Sequence, residues 1–176
     1  MSRLEPTVYR VVNVLLPKTA HGDQETVPVL LDERSGLPPK LALRWVMRSR
    51  RTAVGEKTLA DDLRAASLLY SFYEEELGRC VDEEFESGRR VDALELEKLI
   101  AFLRAGGSRG TRSLSTIAQL TANLERFLRW LAKPIDRGGS TYVSAQDLVL
   151  YHEQLHHTFE DLRAHRHRGK RLEPLS

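Results

Sequence analysis

The chain has 176 residues and a formal net charge of +2, from 27 Lys and Arg against 25 Asp and Glu, and contains one cysteine, Cys80. That length suits one domain with a proper core plus an arm or a tail, and a single cysteine excludes an internal disulfide or a cysteine-rich metal site, in keeping with a reducing, cytoplasmic setting. The longest apolar stretch, Val11 to Leu16, is interrupted by Asn13 and is far shorter than the roughly 20 residues of a membrane-spanning helix.

From the N-terminus, Thr7 to Leu16 is rich in valine and leucine and bounded by Pro6 and Pro17, which is strand-like. His21, Gly22 and Asp23 supply turn chemistry before a second apolar run, Val27 to Leu31. A β-hairpin arm over residues 1–36 is therefore expected. Ser35, Gly36, Pro38 and Pro39 punctuate the chain, and the periodicity then turns helical. The spacing predicts a helix from Lys40 to Arg50 with Leu41, Trp45 and Val46 inward and Arg44, Arg48 and Arg51 outward. A second helix spans Thr58 to Leu77, opened by a capping-box-like pair, Thr58 and Asp61, and stopped by Gly78. A third is capped by Asp92 and Glu95, with Leu96, Leu99, Ile100 and Leu103 as its stripe and Gly106 and Gly107 as its stop.

The fourth helix, RSLSTIAQLTANLERFLRWL from Arg112 to Leu131, joins a basic, hydroxyl-rich entry to an apolar stripe of Ile117, Leu120, Leu124, Phe127 and Leu131. Residues 37–134 thus read as a helical body closed by Pro134. In 135–176, Ser144 and Asp147 repeat the capping signature, and Leu148, Tyr151, Leu155, Phe159 and Leu162 predict a docking helix. The basic tract from Arg163 to Arg171 reads, toward its end, as an exposed linker. The fold class is mainly α, a bundle of four to five helices with a small β-hairpin arm.

Charge is unevenly placed. Glu74 to Glu97 holds ten acids and three bases, a local −7 that leaves +9 on the remainder. A basic majority beside one acidic belt suits a polyanionic partner, and a mixed surface kept for solubility is the other account. The entries of the second and fourth helices fit the first account, because helix-end amides, hydroxyls and nearby arginines together bind phosphate. Arg48, Arg50, Arg51, Lys57 and Thr58 form one such group, and Arg109, Arg112, Ser113, Ser115 and Thr116 the other. Ordinary capping by Thr58 and by Ser113 or Ser115 explains the same residues. The aromatic residues Trp45, Tyr70, Phe72, Tyr73, Phe127 and Trp130 recur at helical spacing and belong to a core.

His152 to His156, HEQLH, matches the zinc-protease pattern of two histidines one turn apart with a glutamate as base. Beyond it only Glu160 and Glu173 offer a third ligand, and both histidines flank the apolar stripe, so a zinc hydrolase is the remote alternative and no metal or cofactor is assigned. His165 and Arg168 lie in the basic tract HRHRGKR and are read as solvated charge or phosphate contact. No phosphate loop and no GxSxG elbow is present.

Taken in order, these segments resemble the N-terminal half of tyrosine-type site-specific recombinases, the phage-integrase family. VPVLLDERSGLPPKLALRWV looks like the lead-in of many mobile-element integrases, and GEKTLADDLRAASLLYSFYEEELG is similar to a core-binding helix of that family. RSLSTIAQLTANLERFLRWL is similar to the last core-binding helix, with Ser113 and Thr116 at its start and Phe127, Trp130 and Leu131 at its close, and RGKRLEPLS resembles the junction into a catalytic domain. The resemblance implies a bacterial, DNA-associated core-binding domain that clamps double-stranded DNA and meets other recombinase protomers in a synapse, with no membrane partner. It implies binding without catalysis, since the family's catalytic residues belong to the other domain and neither Tyr142 nor Tyr151 stands in the nucleophile's context. Arg166, Arg168, Lys170 and Arg171 would then track phosphate along the linker. The rival of another class is a helical protein-interaction module using the acidic belt.

Overall fold

The computed structural model describes residues 8–17, 22, 24–106, 112–133 and 145–170, with side chains over 146–161 in the last segment. Strand β1 (Tyr9–Leu15) pairs antiparallel with β2 (Thr26–Asp32), Tyr9 opposite Asp32 and Leu15 opposite Thr26. Val27, Val29 and Leu30 are buried in the common core with Tyr9, while Val14 and Leu15 stand exposed. The arm is thus docked on the body through β2. A turn follows in which Gly36 adopts φ +71° and its amide donates to the Asp32 carbonyl at 2.8 Å. That backbone conformation strains any residue with a Cβ.

Helix α1 (Lys40–Trp45) follows Pro39, which provides no side-chain cap. The cap comes from elsewhere in the chain: Lys40 and Leu41 amides donate to the Asp82 carboxylate at 2.8 and 3.2 Å. The Tyr70 hydroxyl donates to that carboxylate at 2.6 Å and accepts from the Ala42 amide at 3.3 Å. Burial, reinforced by the Asp82 charge, pushes the Tyr70 phenol well above its ordinary range. Beyond Trp45 the helix widens into a π-helical turn over Val46–Arg50, where the Arg51 amide reaches back five residues to the Val46 carbonyl at 2.9 Å.

Helix α2 (Glu56–Glu76) is the central element, packing against both strands, α3, α4 and α5. It starts before Thr58, with Gly55 as N-cap, so the expected Thr58 and Asp61 cap is not formed. The short helix α3 (Val81–Glu86) was not expected from sequence; it buries Val81 and Phe85 one turn apart beneath an acidic exterior. Helix α4 (Ala93–Ala105) opens on the expected capping box of Asp92 and Glu95, buries Leu96, Leu99, Ile100 and Leu103, and stops at Gly106. Helix α5 (Leu114–Leu131) is capped by Ser113, whose Oγ accepts from the Thr116 amide at 3.2 Å.

The direction of α5 follows from three contacts. Asp62, early in α2, meets Arg126, late in α5, at 2.9 Å. Phe72, late in α2, lies against Phe102 of α4, and the neighbouring Leu103 carbonyl accepts from Arg112 just before α5 begins. Helices α2 and α5 therefore run antiparallel. Trp45 and Phe127 seal them against α1, ring centroids 4.6 Å apart.

Helix α6 (Ala145–Lys170) packs on α5 and buries Tyr151, Leu155 and Phe159, which is the expected docking stripe; Leu162 lies outside the described side chains. Its backbone is helical through Lys170, further into the basic tract than a linker reading allows. Arg90, before α4, covers the Tyr151 ring at 5.0 Å. Among the described residues no helix is long and apolar enough to cross a membrane.

Candidate nucleic-acid interface

The two basic entries do not converge. Thr58 lies in the first turn of α2, while the start of α5 lies by way of Leu103 and Phe102 near Phe72, fourteen residues further along α2. At 1.5 Å per residue the entries are about 20 Å apart, at opposite ends of one helix pair.

At the first entry, Arg48 is exposed on the π-helical turn, and Lys57 and Thr58 are exposed in the first turn of α2. Because Gly55 makes no side-chain cap, the first amides of α2 receive no capping acceptor, and helix-end amides of that kind attract anions. Glu56 opposes this in the same turn. Arg50 and Arg51 are not available in the way the sequence suggested. Arg50 donates through Nε and Nη2 to Asp62 at 3.0 and 2.7 Å, and its guanidinium lies 5.8 Å from the centre of the Trp45 ring. Arg51 makes a two-pronged contact with Glu25, at 3.1 and 2.7 Å. The reason is the π-helical turn, which brings successive arginines onto acids from α2 and from just before β2.

At the second entry, Ser113, Ser115 and Thr116 are exposed, as is Arg104 at the end of α4, which sequence reading passed over because it stands outside the helix-start pattern. Ser113 is already engaged, its Oγ lying 2.9 Å from Thr116 Oγ1 as well as accepting the Thr116 amide. Arg112 is half-buried; its Nη1 donates to the Leu103 carbonyl at 2.9 Å, and burial lowers the pKa of its guanidinium below the ordinary value. Arg112 is thus a strap between α4 and α5. Arg109 and Arg171 lie outside the described residues, as do the side chains of Arg166, Arg168 and Lys170.

Much of the acidic belt is spent inside the molecule. Glu74 binds Arg34 and Tyr9, Glu84 binds Arg79 and Arg89, Glu86 binds Lys40 and Arg44, and Glu95 pairs with Arg79 while closing the α4 cap. Asp82 caps α1. These acids hold the hairpin, α1 and α4 together. Arg48, Lys57, Lys98 and Arg104 remain exposed and form no ion pair with another described residue.

The two histidines of HEQLH engage different groups. His156 Nδ1 lies 3.2 Å from Glu125 Oε1 and its Nε2 lies 3.6 Å from Glu160 Oε1. His152 donates to the Arg129 backbone carbonyl, and its pKa is lowered by burial and then by the Arg129, Lys133 and Arg90 charges. Glu153, the would-be base, is exposed. Among the described residues no group of three His, Cys, Asp or Glu is placed to hold a metal ion; Glu173 lies outside the described residues.

No family model matches the chain, and neither a curated protein nor a solved structure is found to be similar to it.

Proposed function

We propose that this chain binds double-stranded DNA as the core-binding part of a tyrosine-type site-specific recombinase, without itself cleaving strands. The observation that carries the reading is the placement of free charge: Glu74, Glu84, Glu86 and Glu95 are engaged by basic side chains of the chain itself, Glu76, Glu83 and Glu97 stay exposed on the acidic belt, and Arg48 and Lys57 stand exposed beside the open first turn of α2. The exposed α5 entry, with Ser115, Thr116 and nearby Arg104, is the second contact. A separation of about 20 Å corresponds to roughly six base-pair steps of duplex, so the two ends can meet successive backbone positions along one half-site. Such contacts position the protein and carry little sequence information. Further protomers would join on the DNA.

Fluorescence anisotropy with a labelled duplex tests this. Affinity should fall linearly on a log scale with salt, and Arg48→Glu with Lys57→Glu should weaken it about tenfold or more. Absence of duplex binding at low salt by the folded protein overturns the reading.

A further inference from the structure

One face of α5 and His156 of α6 form an open, shallow cleft of about 320 Å³ lined by Ala122, Glu125, Arg126, Arg129 and His156. Two arginines three residues apart share one wall, and the His156 ring stands across from them. Each guanidinium is only partly used: Arg126 reaches Asp62 and Asn123 through Nη2, and Arg129 reaches Glu125 through Nη2. Their Nη1 groups have no acceptor among the described residues, and Arg129 Nε is buried without one. Both side chains nevertheless keep about two-fifths of their surface open, 43% for Arg126 and 40% for Arg129.

Charge around the cleft favours an anion. Arg50, Arg126 and Arg129 balance the carboxylates of Asp62, Glu125 and Glu160, and Lys133 and Arg90, close enough to act on the adjoining His152, tip the surroundings toward positive charge. Glu125, at the base, is 7% exposed and takes Arg129 and His156, so its charge is answered from inside. His156 Nε2 lies 3.6 Å from Glu160 Oε1, an ion-pair contact longer than a hydrogen bond, and in the doubly protonated ring its N–H can turn from that carboxylate to a phosphate oxygen. Planar guanidiniums with spare N–H groups lining an open cleft are suited to phosphate oxygens, which accept several directed bonds at once.

We infer that the α5–α6 cleft is a phosphate-binding site in which Arg126, Arg129 and His156 hold one phosphate group, free inorganic phosphate or a phosphodiester of a nucleic-acid backbone. It is separate from both helix entries. Free phosphate alone would satisfy it, so the site stands whether or not the entries meet DNA.

The full chain, labelled for NMR, is titrated with sodium phosphate against sodium chloride at matched ionic strength, following the Arg Nε–H and His156 ring resonances. Duplex affinity is measured in parallel on the same samples. Two variants are compared, Arg129→Gln and Ala122→Glu; the second places a carboxylate in the cleft while leaving the Asp62 network intact, so its fold is checked independently by circular dichroism. Saturable phosphate shifts, weakened about tenfold in both variants, are the expected result. A parallel loss of duplex affinity in Ala122→Glu assigns the ligand to the nucleic-acid backbone; unchanged duplex affinity assigns it to free phosphate, and either supports the site. Shifts no different from those in chloride, or phosphate binding unaltered by both variants, overturn it.

Discussion

Arg126 on α5 reaches across 64 residues of chain to Asp62 on α2, Nη2 to Oδ1 at 2.9 Å. Asp62 is fully buried and also takes Arg50, so one carboxylate joins the π-helical turn, α2 and α5. Removing it strands two guanidiniums, although both retain some access to water. Asp62→Ala is expected to cost about 2–4 kcal/mol in urea unfolding. A loss below about 1 kcal/mol would mean that the arginines relax freely into solvent.

Asp82→Ala removes the acceptor for the first two amides of α1 and for the Tyr70 hydroxyl. About 1–2 kcal/mol of stability should be lost, and Asp82→Asn, which keeps one acceptor oxygen, should recover part of it. Equal losses in both variants would show that the capping bonds contribute little.

Acidification should weaken the docking of α6. The folded-state pKa of His152 is depressed by burial and by the Arg129, Lys133 and Arg90 charges, so the unfolded or undocked state takes up the proton first. Stability contributed by the neutral ring is present above the ordinary histidine pKa of about 6.5 and is lost as pH falls through it toward the depressed value. Glu125, Glu153, His156 and Glu160 accompany it on the same seam. His152→Gln should flatten the dependence of thermal stability between about pH 7 and 5; an unchanged slope would assign the dependence to another group.

Arg112 separates structural from DNA-contacting roles. Its bond to the Leu103 carbonyl predicts that Arg112→Ala costs about 1–2 kcal/mol of stability. Ser115→Ala, at an exposed position without that bond, should leave stability within about 0.5 kcal/mol of wild type. If Arg112→Ala weakened duplex binding with no change in stability, its strap role would be wrong.

What was legible in the sequence divides by mechanism. Stripes and local caps read correctly: Leu96, Leu99, Ile100 and Leu103 are buried, the Asp92 capping box forms, and Ser113 caps α5. These depend on neighbours within one or two turns. Helix α3 escaped because only Val81 and Phe85 mark its buried face among acids. Thr58 was misassigned because the chain enters α2 earlier, at Gly55, a residue with no side chain to announce a cap. The arginines were harder still. Nothing local distinguishes Arg50, committed to a buried acid twelve residues on, from Arg48, which stands exposed. Arg126 and Arg129 sat unremarked beside the stripe of α5, since the cleft they line exists only once α6 has docked.

The shared carboxylate of Asp82 also sets an order of assembly. Helix α1 has six residues, far below the roughly 12–15 needed for a helix to persist alone, and its first amides are answered 42 residues downstream. During synthesis the hairpin and the α1 segment are made first, yet they must wait for α2 and then for Asp82 before that helix can close. The earliest-made part of the described chain is thus among the last to become stable.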